Sequence, residues 1–262
     1  MLRWLRHAHW ALRPWLDWLL QRSPVEPTPA WAFARLPVTS PLSVLAEGAV
    51  IVLAPHPDDE SLGCGGLIAA CVAAGRDVHL VILTDGSASH RDIAGWPPER
   101  IAALRATEVE AAARELGVKP SNLHLMGAAD GAVAHRGGAF LQMAGQLAEL
   151  VCSTGAGTLL TTWLHDGHRD HAAAALLAEA VSALQPVRHL SYPIWGWRLS
   201  DLPKPVRGWR IDIAPHRAAK RRAIAAHVSQ TTDLIAGNAG WGNLSPGFRT
   251  NFDRDYEVIL QA

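Results

Sequence analysis

From residue 49 onwards the chain alternates short, unbroken apolar runs with longer stretches of helical periodicity, and this alternation narrows the fold more than any other feature. "GAVIVLAP", "DVHLVILTDG", "NLHLMGAADG", "GTLLTTWLHDG" and "RHLSYPIWGW" read as strands. The first is β-branched with no polar alternation, which is the pattern of a strand buried on both faces of a parallel sheet. Between them, "ESLGCGGLIAACVAAG" reads as a helix closed by Gly75, and "PPERIAALRATEVEAAARELGV" as one opened by prolines and closed by Gly117. "AFLQMAGQLAELVCSTG" and "HAAAALLAEAVSAL" are two further helices. Beyond Pro193 the pattern weakens to a strand ("GWRIDIAP"), a helix ("HRAAKRRAIAAHVSQT") and a last strand ("YEVILQA"). Alternation at such short spacing predicts a Rossmann-like three-layer α/β/α domain with a mostly parallel sheet and right-handed crossovers.

Composition removes several classes. Lys plus Arg and Asp plus Glu both total 24, so no net basic charge points to nucleic acid. Three cysteines without a CxxC pair predict a reducing, cytoplasmic setting and no disulfide framework. The 13 histidines direct attention to metal or proton-transfer chemistry.

The first 45 residues read as an extension ahead of a domain spanning 46–262. "MLRWLRHAHWALRPWLDWLLQR" is interrupted by Arg6, Arg13 and Asp17, so it makes no convincing signal peptide and reads as too polar for a membrane span. Its tryptophans recur at helical spacing. Two readings stand: a helix packed on its own domain or a partner subunit, favoured because Pro14 interrupts the pattern, or peripheral contact with a membrane surface. Residues 23–42 carry five prolines and read as a linker or wrapping segment.

In an open parallel sheet, ligands bind beyond the carboxyl ends of the strands. Three polar motifs fall at such ends: "HPDDE" from His56, "TDGSASH" to His90, and "HDGHRDH" from His165 to His171. The fold therefore brings His/Asp clusters far apart in the chain to one rim. A metal explains their contents, because catalytic zinc takes three nitrogen or carboxylate ligands and keeps one position open. The remaining carboxylate and imidazole then serve as base and as acid or oxyanion stabiliser.

"APHPDDESLGCGG" resembles the first signature of the PIG-L/LmbE family of zinc-dependent N-deacetylases, and "HRDH" resembles its second motif. "ERIAALRATEVEAAARELGV" is similar to the family's R-x-x-E helix. The resemblance runs from about Val50 to about Gln230. It implies that His56, Asp59 and His171 bind Zn2+ (or another divalent ion such as Fe2+), and that Asp58 is the general base. It implies that His168 stabilises the tetrahedral intermediate and that Asp170 orients an imidazole. It also implies substrate contacts for Arg105, Asp130, His90 and His227. The activity implied is hydrolysis of the N-acetyl group of an amino sugar or glycoconjugate. The alternatives are a metal amidohydrolase acting on a larger amide, and an idle sugar-binding relative. A base working with a protonated His168 predicts a bell-shaped pH profile. Arg169 stands where the family usually has proline, and His90 where some members carry Glu.

Several residues keep a plainer reading. Arg105 and Glu108, at i and i+3, pair with each other or serve the site separately. His227 is either a structural histidine or a substrate contact. Trp195, Trp197, Trp209 and Trp241 line a sugar groove or belong to the core. His79 and His124, inside strands, are structural.

Overall fold

The computed structural model describes residues 29–199, 202, 205–235 and 244–262. The proposed helix over the first 22 residues, and Trp241, lie outside these.

One eight-stranded sheet organises the molecule. Its strands are β1 (Val38–Thr39), β2 (Ala49–Ala54), β3 (Val78–Thr84), β4 (Leu123–Ala128), β5 (Ala156–Thr162), β6 (Arg188–Tyr192), β7 (Gly208–Asp212) and β8 (Tyr256–Gln261). The order across the sheet is β1-β7-β8-β6-β5-β2-β3-β4. All neighbours are parallel except at β8, which runs antiparallel to β6 and β7. The three-layer α/β/α architecture expected from the alternation is the one observed. Every residue of β2 and β3 is buried, as their lack of polar alternation requires.

The longer helices are α2 (Asp59–Ala73), α3 (Pro98–Glu115), α4 (Gly137–Thr154), α5 (Arg169–Leu184) and α6 (Arg217–Ala226), with short turns α1 (Pro29–Ala34), α7 (Val228–Thr231) and α8 (Pro246–Arg249). Alternate residues of β2 separate two cores. Val50 and Val52 face Leu62, Leu67 and Leu116 beneath α2, α3 and α6. Ile51 and Leu53 face Leu147, Val151, Leu177 and Val181 beneath α4 and α5. From β2 the chain builds one way through β3 and β4, and then returns to place β5 on the other side of β2. That reversal is the topological switch point, and it opens a crevice between the β2 and β5 carboxyl ends.

Helix α2 is kinked where Cys64 leaves helical geometry (φ −145°). The interrupted backbone groups are satisfied by a buried ion pair. Lys220 Nζ donates to Leu62 O (2.7 Å) and Glu257 (2.6 Å), while Glu257 accepts the N–H groups of Gly66 (2.7 Å) and Leu67 (2.8 Å). Gly63 sits at the same bend, where a Cβ would lie 2.1 Å from the Tyr192 ring. Only glycine lets α2 approach β6 this closely.

Two expectations are corrected. The strand read through "RHLSYPIWGW" stops at Tyr192, because the Asp166 carboxylate takes the N–H groups of Ile194, Trp195 and Gly196 and folds them into a 3-10 turn. The helix read through "HRAAKRRAIAAHVSQT" breaks at His227 (ψ 65°). Of the two readings of the proline-rich segment, its described residues fit the wrapping one: β1 pairs with β7, and Phe33 and Leu36 pack on Trp163 and Leu260. His79 and His124 face each other across β3 and β4 at 3.2 Å. Among the described residues no helix is long and apolar enough to cross a membrane.

Candidate active site

The crevice at the switch point holds a cavity of about 1010 Å³, lined by His56, Asp58, Asp59, Arg105, Asp130 and His168 among others. His171 and Asp170 are fully buried behind it. The β2–α2 turn delivers His56, Asp58 and Asp59, and the start of α5 delivers His168, Asp170 and His171.

His56 Nδ1, Asp59 Oδ2 and His171 Nε2 form a triangle with edges of 3.2, 3.3 and 3.4 Å. Ligands bonded at 2.0–2.2 Å in a tetrahedral shell lie about 3.3–3.6 Å apart, so the three atoms already have the spacing of one face of such a shell. The opposite nitrogen of each ring is engaged by carboxylates. His171 Nδ1–H donates to Asp166 (2.6 Å), and His56 Nε2–H faces Asp130 and Asp170, each at 3.3 Å. Protons on those outer nitrogens leave lone pairs converging inside the triangle with a carboxylate oxygen. Three converging lone pairs in a buried site fit a cation. The surrounding charge agrees. Burial pushes His171 down, but Asp59 and Asp166 outweigh it and raise the ring to about 9. Burial likewise opposes, and Asp130, Asp170 and Asp59 overcome, so that His56 is also raised. The Asp59 carboxyl, which burial alone would raise, is held far below the ordinary range by His171 and His56. Two further donor groups meet around His56: His168 with His171, and Asp130 with Asp170.

Asp58 caps α2 in a strained backbone conformation (φ 144°). Burial pushes its carboxyl up to about 6, against the opposing pull of Arg105, whose Nη2 lies 3.1 Å away. Arg105 also donates to the carbonyls of Pro57 and Gly86. Gly86 (φ +67°) leaves room for it, since a Cβ there would sit 2.7 Å from Arg105 Cδ.

The second expected imidazole arrives in a different state. His168 caps α5, its Nδ1 accepting the Asp170 N–H (3.2 Å). Burial, and then the neighbouring rings of His171 and His56, push it below the usual histidine range. A ring that accepts at Nδ1 is neutral and donates from Nε2. The protonated His168 behind the bell-shaped expectation is therefore replaced by a neutral donor.

Other expected contacts move. Asp130 is on the wall, but its oxygens are taken by His56 and by the Ala88 N–H (2.9 Å). Asp170 faces His56, as expected for an orienting group, and also pins the Gly131 (2.7 Å) and Val133 (3.1 Å) N–H groups. His90 and His227 are buried and do not line the cavity. The break before α7 turns His227 inward to Glu60 (3.1 Å) and leaves Gln230 on the wall instead. Of the tryptophans considered, Trp195 lines the cavity, stacked on Phe248 at 4.8 Å. Trp197 packs on Phe33. Arg105 and Glu108 do not pair with each other. Asp166, which sequence reasoning left without a role, is the partner of His171.

Residues 51–182 match the family model described as PIG-L, GlcNAc-PI de-N-acetylase. The chain belongs to the PIG-L family. A PIG-L relative, the diacetylchitobiose deacetylase of Thermococcus kodakarensis, is 32% identical over 216 residues, covering 77% of this chain and 75% of that one. The 1D-myo-inositol 2-acetamido-2-deoxy-alpha-D-glucopyranoside deacetylase of Actinosynnema mirum is 27% identical over 247 residues, covering 76% and 86%. Among solved structures, the N,N'-diacetylchitobiose deacetylase of Pyrococcus horikoshii superposes with a TM-score of 0.62 at 22% identity, covering 96% of this chain and 91% of that one. It establishes the same fold.

Proposed function

We propose that residues 46–262 form a zinc-dependent hydrolase that removes the N-acetyl group from an amino sugar bearing a second ring. The observation that carries this reading is the 3.2–3.4 Å triangle of His56, Asp59 and His171 beside the Asp58 carboxylate on the same cavity wall. These three side chains would hold the ion. Zinc there supplies a Lewis acid for the amide carbonyl and makes water more acidic.

The chain's own residues do the rest. Asp58, with a pKa near 6, accepts the proton of the attacking water at neutral pH. Arg105 keeps that carboxylate ionised and fixes its direction. His168 donates its Nε2–H to the oxygen on which negative charge develops. Asp58 then returns its proton to the departing nitrogen, and acetate and a free amine result. Asp166, Asp130 and Asp170 hold the two imidazoles in the tautomer that turns lone pairs inward.

The cavity is several times larger than an acetamide needs, and Trp195 offers an aromatic face on its wall. Relatives named for diacetylchitobiose and for an inositol glucopyranoside support a substrate of two rings. A second reading has one observation in its favour: Ile194, Leu244 and Phe248 give the wall an apolar side that suits a longer acyl group.

The assay compares amine release from N,N'-diacetylchitobiose, from an N-acetylglucosaminyl-inositol and from their longer N-acyl counterparts by zinc-loaded protein. Faster release from the acetyl compounds supports the proposal. Preference for long acyl chains selects the second reading. No release from any of them counts against both.

A further inference from the structure

Arg105 and Glu108 lie three residues apart on α3, within pairing reach, yet each reaches elsewhere, and both paths lead to Asp58. Arg105 meets the Asp58 carboxylate directly (3.1 Å). Glu108 accepts the backbone N–H (2.6 Å) and the hydroxyl (2.7 Å) of Ser229, two residues beyond the break at His227. His227 Nε2–H points to Glu60 Oε1 (3.1 Å), where the Ser61 hydroxyl also donates (2.7 Å). The other Glu60 oxygen accepts the backbone N–H of Asp58 (3.0 Å). Two arms therefore meet at Asp58: one is Arg105 on α3, and the other runs from Glu108 on the same helix to Ser229, along the backbone to His227, and through Glu60 to the Asp58 N–H. No member of this network is more than 7% exposed.

A buried network of this kind needs a reason, because ordering and desolvating these polar groups is costly. Asp58 supplies one. Its φ of 144° is a conformation that residues with a Cβ rarely adopt, and such backbone persists only where the surroundings over-determine it. The network grips both ends of the residue, its carboxylate through Arg105 and its backbone N–H through Glu60. Glu60, Glu108, His227 and Ser229 do not line the cavity.

We propose that Glu60, His227, Ser229 and Glu108 are positioning residues that lock the Asp58 backbone so that its carboxylate stays on the cavity wall. The proposal rests on the reading of Asp58 as the general base. It predicts a loss in turnover without a loss in substrate affinity. It also predicts non-additive effects, because Glu108 reaches Asp58 only through Ser229, His227 and Glu60 in series, so a second cut in that arm releases nothing further.

The test uses the full chain loaded with zinc and the N-acetyl sugar it turns over best. His227→Ala and Glu108→Ala should each lower kcat about 10–100-fold, the scale of a small misplacement of a reacting group, with KM and zinc content unchanged. The double variant should be no worse than the poorer single one. His227→Gln, which keeps an amide donor for Glu60, should recover most of the rate. Hydrogen exchange in the metal-free protein gives a readout independent of activity: the amide of Asp58 should lose protection in His227→Ala. If an alanine variant does not fold, Glu60→Gln and Ser229→Ala take its place, each expected to lower kcat about 3–10-fold. Unchanged kcat in the folded variants, a rise in KM alone, or multiplicative losses would overturn the proposal. Asp58→Asn separates the two claims: if it stays active, the assignment of the base fails, and if it is inactive while the network variants keep full rate, only the network fails.

Discussion

His56 Nδ1 and His171 Nε2 lie 3.3 Å apart across a sequence separation of 115 residues. The contact follows from topology. His56 stands just beyond β2 and His171 in the first turn of α5 beyond β5, and β2 and β5 are adjacent parallel strands. The carboxylates behind each ring then decide which nitrogen faces inward.

Asp166 is the group that fixes His171. Asp166→Asn keeps the size of the side chain but removes its charge and lets an amide N–H face the ring. Cation affinity should fall about 10–100-fold, as for other outer partners of metal-binding histidines. Competition with a chelator of known affinity measures this. Unchanged affinity would show that the 2.6 Å contact contributes nothing to the site.

Asp58→Asn should retain one zinc per chain and lose about 10²–10⁴-fold in kcat, the usual contribution of a positioned base. Metal analysis and steady-state kinetics on the same sample check both halves. Loss of zinc together with activity would make Asp58 a ligand instead.

The pH profile carries a sign. Asp58 works ionised, and its carboxyl is pushed up to about 6, so the ionised fraction falls as pH drops through that value. A cation nearby moves the transition lower. The acid limb of kcat/KM should therefore lie at or below about pH 6. His168 acts neutral and is held below its usual range, so its titration adds no falling limb on the alkaline side near pH 7. An acid limb above pH 7 would contradict the assignment of the base.

The pair under the α2 kink carries a stability prediction. Lys220→Met leaves Glu257 buried without its partner, at a cost of about 3–5 kcal/mol. Lys220→Met with Glu257→Gln should recover part of it, because no lone charge remains. Urea midpoints of the three proteins decide the matter, and a Lys220→Met midpoint equal to the wild type would show that the pair is dispensable.

Gly63→Ala places a methyl group within the Tyr192 ring volume. Overpacking of this kind costs about 1–3 kcal/mol. Its effect should not stop at stability, because Asp59 sits one turn away on the same helix and Asp58 caps that helix. Thermal unfolding and zinc content should fall together, and a lower Tm with full zinc binding would show that the two ends of the kink are independent.

Much of this was legible in the sequence. Strand patterns have period and length, so the sheet and the strand-end location of His56, Asp59, His168 and His171 follow from local residues. Asp166 was within a motif already singled out, but its role is set by the Ile194–Gly196 backbone and by a ring five residues on, which leave no local pattern. Of the two readings of His227 the structure favours the structural one, and a run of helical residues hides the break that turns its ring toward Glu60, 167 positions away. The roles of Lys220 and Glu257 leave no local signal, because nothing in the sequence around either marks an interrupted helix that needs a buried donor and acceptor.

The central claim is that His56, Asp59 and His171 jointly hold one cation. Anomalous diffraction at the zinc edge, on crystals grown with stoichiometric zinc, tests it directly. The account predicts a single strong peak within bonding distance of His56 Nδ1, Asp59 Oδ2 and His171 Nε2. A peak on the opposite face of His56, between Asp130 and Asp170, or no peak at all, would contradict it.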